Sequence, residues 1–312
     1  MRRKHIVTIG AAAALALTLA ACGGDTATDA GTATDDATGG NGTTATESAL
    51  TIGVHSGWEE GIAVSELWTR ILTDEGYDVD QQIAEAGVVF TGLAEGDYDV
   101  NFDTWLPNTH GDYLETYGDD IVDLGVWYEN APLTIAVNED APITSLAELA
   151  ENADQFGNRL VGIEAGAGLT RITQDAVIPT YGLEGMEFIV SSTPAMLSDL
   201  QAAVDAGENV VVTLWRPHWA YDAFPIRDLE DPEGALGEPD DIHTYGTGDF
   251  EERFPDVAEW IGNFTMTDEQ LASLENIMFN EMGGESNADA VDQWLTENPD
   301  FVESVTGGGT EG

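Results

Sequence analysis

Two short stretches of the chain carry aromatic and basic groups in one cadence: Asp103 to His110 reads DTWLPNTH, and Thr213 to Trp219 reads TLWRPHW. Each places a tryptophan at the end of an apolar run, a proline two residues on and a histidine just beyond. Trp58, in SGW after a third apolar run, stands in a matching place. An indole face attracts a cation, and one desolvated contact contributes about 2 kcal/mol or more. Several faces around one cavity therefore suit a quaternary ammonium, which has no hydrogen to donate. A lysine or arginine side chain would also fit such a cage, so the indoles alone do not name the ligand. Trp68, Trp260 and Trp294 lie at helical spacing and read as packing. Taken singly, Trp58, Trp105 and Trp215 are as readily structural; three in matching positions favour a site.

His110 follows Trp105 by five residues. It either reaches the same cavity from the loop that Pro107 starts or stands at a helix start in water. Gly166-Ala167-Gly168-Leu169-Thr170 lies between a predicted strand and a predicted helix. Its backbone N–H groups should face an anion from the helix N-terminus, though one G-x-G is not the dinucleotide fingerprint. A cation cage beside an anion-binding helix start describes a small zwitterion.

These residues need a scaffold that brings loop ends together. From Leu50 onward, apolar β-type runs alternate with amphipathic helical stretches, which predicts an α/β fold with mainly parallel sheets. Predicted strands cover 50–56, 77–83, 98–104, 131–137, 160–165, 188–192 and 210–214. Helices are expected over 61–75, 88–94, 145–156, 168–181 and 194–206, and the tail from Asp249 is mostly helical. Ser145 followed by Glu148 has capping-box spacing. GDYDVNFDTWLP and GENVVVTLWRP occupy equivalent places in two similar units. In open parallel sheets ligands sit beyond the carboxyl ends of the strands, so the tryptophans should face a cleft between two lobes.

A chain of 312 residues buries a substantial core as one large domain or two lobes. Residues 1–21 have a cationic start at Arg2, Arg3 and Lys4, then an apolar run too short to span a membrane comfortably, as an export signal does. Cys22, the only cysteine, follows Leu19-Ala20-Ala21 directly. Residues 23–48 are low-complexity Gly, Thr, Ala and Asp, expected to be a disordered tether. Three of the nine Lys and Arg residues fall in the leader and none of the 59 acids do, which leaves six arginines and a formal charge of −53. Such a surface repels nucleic acid and anionic headgroups and is expected to stay soluble in a salt-rich medium. The chain has no G-x-S-x-G elbow, no H-E-x-x-H and no cysteine left for catalysis, so an exported hydrolase with His110 as base is a remote alternative. No cofactor or metal is called for.

In this order, IAVSELW, AEGDYDV, TWLPNTH, GIEAGAG, TLWRPHW and LEDPEGALGEPDDIHT resemble the glycine betaine/proline betaine-binding proteins of ABC importers, over most of Leu50 to about Phe264. The resemblance implies a two-lobed, periplasmic-binding-protein-like type II fold, with residues 49–133 plus 246–312 as one lobe and 134–245 as the other. It implies a cage of Trp58, Trp105 and Trp215 for the trimethylammonium group. His110 and the backbone amides of Gly168 and Leu169 would take the carboxylate, with His218 and Trp219 supporting Trp215. Arg216 departs from the family pattern, and its expected place is beside a cleft acid, on the carboxylate or in solvent. Around Cys22 the sequence resembles a lipobox, which implies a lipoprotein anchored by Cys22 on the extracytoplasmic face of the cell membrane; the alternative is an ordinary signal peptide with an incidental cysteine. The chain is expected to be a monomer that passes glycine betaine to an ABC permease and its ATPase. Choline would leave His110 and the helix start without a role; carnitine and dimethylsulfoniopropionate keep both ends. A sensor subunit would use the same pocket.

Overall fold

The computed structural model describes residues 48–307; the leader, Cys22 and tether residues 23–47 lie outside the described residues. Among the described residues ten strands form two five-stranded sheets. In chain order they are β1 (Ala49–His55), β2 (Asp78–Ala84), β3 (Val100–Leu106), β4 (Ile121–Ala131), β5 (Leu133–Asn138), β6 (Arg159–Val161), β7 (Glu187–Ile189), β8 (Val211–Trp215), β9 (Ile226–Asp228) and β10 (Asp240–Thr247). The first sheet runs β2-β1-β3-β10-β4 and the second β7-β6-β8-β5-β9. Central strands are the buried ones: β8 is buried throughout, and β3 over all but its last residue, whereas edge strand β2 has only half-exposed and exposed positions.

The sheets are mixed, not mainly parallel. β1 pairs parallel with β2 and β3, and β6 with β7 and β8, but β10 lies antiparallel between β3 and β4, as β5 does between β8 and β9. A parallel neighbour needs a crossover helix, and β5 and β10 enter from the opposite lobe without one. The chain enters the second sheet at Leu133 and is back in the first at Asp240, whereas the sequence placed the return at 246.

Helix α1 (Glu59–Asp74) begins right after Trp58 and buries Leu67, Trp68 and Ile71; α2 (Ala86–Glu95) follows β2, and α3 (Gly111–Tyr117) follows His110. Trp68 stacks on Phe102 at 5.1 Å and meets Phe264 edge-on at 5.3 Å, and Trp294 donates to Ser273 Oγ at 2.7 Å. The tail thereby packs on the first lobe. In place of one helix over 145–156 there are two 3₁₀ segments, Leu146–Glu148 and Ala150–Phe156, although Glu148 accepts the Ser145 N–H at 3.1 Å as the capping box requires. Helix α4 (Gly168–Ile172) passes through a π turn, Thr173–Val177, into α5 (Ile178–Tyr181), and Pro179 there has no N–H to give. Helix α6 (Thr193–Ala206) precedes β8. Among the described residues no helix is long and apolar enough to cross a membrane.

The carboxyl ends of β1, β3, β6 and β8 all meet where the lobes face each other. Both Trp-x-Pro segments sit there, at the ends of β3 and β8, and both X-Pro bonds are cis.

Candidate functional site

Trp58, Trp105 and Trp215 line one cavity together with His110, Gly168 and Leu169. Glu60, Thr109, Leu133, Ile163 and Ala167 complete its wall. The indoles are 6%, 3% and 3% exposed, and a buried indole N–H needs an acceptor. Each has found a buried carboxylate: Trp105 donates to Asp103 Oδ1 at 2.7 Å, Trp215 to Glu60 Oε2 at 2.9 Å, and Trp58 to Glu164 Oε2 at 3.4 Å. With their N–H edges tied down, the rings can offer only faces.

His110 is fully buried at the N-terminus of α3, not a helix-start histidine in water. Its Nδ1 accepts the Trp105 backbone N–H at 2.8 Å, which leaves the proton of the neutral ring on Nε2. Among the described residues no acceptor reaches Nε2. Burial, then the neighbouring His55 and Arg171, hold its pKa well below the usual histidine range, so the ring is a neutral single donor. Trp58 lies nearly parallel to it, with centroids 5.4 Å apart. His55, which motif reasoning passed over, packs against both, at 4.6 Å from Trp58 and 5.5 Å from His110; burial lowers its pKa to about 3.

Gly168 and Leu169 open α4, where the first-turn N–H groups have no intrahelical acceptor. The lobes meet closely along this edge. A Cβ on Gly168 would stand 2.0 Å from the Thr109 carbonyl oxygen. Tyr113 donates to the Gly166 carbonyl at 3.0 Å, and Arg171 bonds the Asn108 carbonyl at 2.9 Å and pairs with Asp112 at 2.9 Å.

The His218 ring meets Trp215 edge-on at 4.8 Å while its Nδ1 accepts the Ala220 N–H, and Trp219 stacks on His218 at 5.9 Å. Arg216 is turned away into its own lobe. It pairs with Asp228 at 2.8 Å and lies over the Tyr221 ring at 3.4 Å.

Sequence reasoning missed the acids behind the cage, although Asp103, Glu60 and Glu164 each lie within two residues of a motif already singled out. Burial raises the pKa of Glu60 well above the carboxylate range, and Asp103 and Glu275 push it further. Burial likewise lifts Asp103 from 3.8 to about 7 against the opposing bond from Trp105, and its Oδ2 has no partner. A folded-state pKa raised in this way contributes stability below the unfolded value, and that stability is lost as pH rises through the folded one. Asp103→Asn keeps an oxygen for the indole and removes the charge. It is expected to melt several degrees above the wild-type chain at about pH 8, the gap closing toward about pH 4; calorimetry across that range checks it, and a gap independent of pH would be inconsistent with the ionisation of Asp103.

The family model described as the substrate binding domain of ABC-type glycine betaine transport system matches residues 48–297. A glycine betaine/carnitine transport binding protein of Listeria monocytogenes serotype 1/2a (strain 10403S) is 34% identical over 170 residues, which is 54% of this chain and 54% of that relative. The chain thus spans about half the length of that relative. The glycine/betaine/L-proline-binding protein of Borrelia burgdorferi has a crystal structure that superposes with a TM-score of 0.76 at 27% identity, covering 82% of this chain and 96% of that one. A choline-binding protein of an ABC transporter, solved with choline, superposes at 0.77 with 23% identity over 84% and 92% of the two chains, a likeness of fold alone.

Proposed function

Since the chain belongs to the family of substrate-binding domains of ABC-type glycine betaine transport systems, we propose that its cavity captures glycine betaine or a closely related quaternary-ammonium zwitterion for import. This is a family of solute-binding proteins and not of enzymes, which disposes of the hydrolase alternative. The observation that carries the ligand reading is one cavity with both chemistries: three indoles with tethered N–H edges, and a buried neutral histidine whose Nε2–H has no protein acceptor. The trimethylammonium group lies on the faces of Trp58, Trp105 and Trp215, with Glu60 in the wall beside it. The carboxylate accepts from His110 Nε2 and from the first-turn amides of Gly168 and Leu169. His218 and Trp219 hold the Trp215 face in place.

The magnitudes are compatible. Micromolar binding needs about 8 kcal/mol, and about eight heavy atoms at a ceiling of about 1.5 kcal/mol each allow about 12. The experiment is calorimetric titration of glycine betaine and of choline into the wild-type and His110→Ala chains. Betaine should bind the wild-type chain the more tightly and lose about 1.5–3 kcal/mol in the variant, because a hydrogen bond to a charge is gone, while choline changes little. Equal losses for the two ligands would mean that His110 shapes the pocket without reading the carboxylate.

The same proposal includes delivery to an ABC permease and its ATPase from the extracytoplasmic side of the membrane, with a lipid on Cys22 as anchor. Its support is the leader 1–21 and the lipobox-like Leu19-Ala20-Ala21-Cys22, and failure of Cys22 to take up labelled fatty acid would remove the anchor.

A further inference from the structure

Two of the three indole acceptors belong to the other lobe. Trp58 stands on the first lobe after β1, and its N–H goes to Glu164, which follows β6 in the second. Trp215 ends β8 in the second lobe, and its N–H goes to Glu60 in the first turn of α1 in the first. Only Trp105 is served from its own strand, by Asp103. Glu164 is itself fixed from within the second lobe, where Thr193 donates its N–H at 2.7 Å and its hydroxyl at 2.9 Å. Glu60 and Glu164 are 2% and 7% exposed. Each lobe therefore supplies the acceptor for a cage face that stands on the other.

We propose that Glu60 and Glu164 are positioning residues that form a reciprocal latch, so that the cage is completed and the lobes are shut in a single event. With the lobes apart, both indole N–H groups and both carboxylates are hydrated. With the lobes together they satisfy each other, and neither bond can form without the approach that forms the other. The latch also senses the ligand's charge. Closing buries Glu60 near Asp103 and Glu275, which disfavours its ionised form, and a quaternary ammonium in the cavity that Glu60 lines supplies the missing positive charge. Closure on a cation is thereby favoured over closure on nothing. The latch sets how long a ligand is held more than which atoms touch it.

This inference rests on the betaine reading only for its kinetic arm. That arm is stopped-flow dissociation of betaine from the full chain as wild type, Glu60→Met, Glu164→Met and Asp123→Asn. The second arm is the lobe-to-lobe distance distribution, by FRET between labels on the two lobes, with and without betaine. Glu60→Met and Glu164→Met leave no oxygen for the indole N–H and should each speed dissociation about tenfold, equivalent to about 1.4 kcal/mol, with association little changed and the distribution shifted toward larger separations. Asp123→Asn, which alters the partner of His243 inside the first lobe and away from the cavity, should leave the distribution alone. Unchanged dissociation and distances in both glutamate variants would overturn the latch, as would an equal opening caused by Asp123→Asn. A wild-type chain that does not bind betaine defeats the ligand assignment by itself; the distance distributions without ligand then decide the latch, and identical wild-type and Glu164→Met distributions reject it.

Discussion

Gly168→Ala is expected to weaken betaine binding by about a hundredfold or more while leaving the melting temperature within a few degrees of wild type. The added Cβ would stand 2.0 Å from the Thr109 carbonyl oxygen and 2.7 Å from its carbon, and both are backbone atoms on the facing lobe. Overpacking against a yielding side chain costs about 1–3 kcal/mol; here the neighbour cannot yield. Asp240, buried beneath the Thr109 loop, accepts the Asn108 N–H at 2.6 Å, the Thr109 N–H at 3.0 Å and the Thr109 hydroxyl. The loop is held to the first lobe, so the clash must push the second lobe outward and take the amides of α4 away from His110. Each lobe keeps its own core, which is why affinity should fall and stability should not. Gly166→Ala is the internal contrast: its Cβ would come no nearer than 3.6 Å to the Tyr113 hydroxyl, so titration should find it close to wild type. Equal affinities for the two alanine variants would mean that the bound lobes do not approach as closely as the structure shows.

What the sequence made legible was local. Trp105 and Trp215 share a written cadence, His110 lies in the same heptad as Trp105, and the Gly166–Thr170 turn stands between a strand and a helix; period and turn chemistry place all of them at loop ends. What stayed hidden was pairing over distance. Glu164 lies 106 residues from Trp58, and Glu60 lies 155 from Trp215. Nearness to a motif marks these acids, but nothing in either neighbourhood says which distant indole each one serves. Strand β10 begins Asp240-Asp241 and reads as an acidic loop; it is a strand because β3 and β4 flank it. Strand β4 is interrupted by Gly125 at φ 130° and shifts register there, so its apolar residues never show a clean alternation. All three missed strands, β4, β9 and β10, pair antiparallel with partners from distant sequence, and no crossover helix announces them. Asp240 was hidden for the same reason, since its role is to clamp a loop about 130 residues earlier.

Trp215→Ala and Trp105→Ala should each lower betaine affinity by about 1–3 kcal/mol through the lost π face, and Trp215→Ala should be the worse of the two. Removing Trp215 leaves Glu60 buried without its indole donor, near Asp103 and Glu275, whose charges already disfavour ionisation. An unsatisfied buried acceptor adds about 1–3 kcal/mol, more when charged. Removing Trp105 strands Asp103, but that acid belongs to the same strand and its loss of a donor does not separate the lobes. Calorimetric titration, with melting temperatures recorded on the same samples, checks both; an affinity equal to wild type would take that residue out of the cage. Trp215→Phe divides the effect, because it keeps a face for the ammonium and removes only the N–H. Its dissociation rate should match that of Glu60→Met, since the two substitutions break one bond from opposite lobes. If Trp215→Phe instead released betaine as slowly as wild type while Trp215→Ala released it fast, the face alone would hold the ligand, and the carboxylate behind it would serve only to satisfy a buried nitrogen.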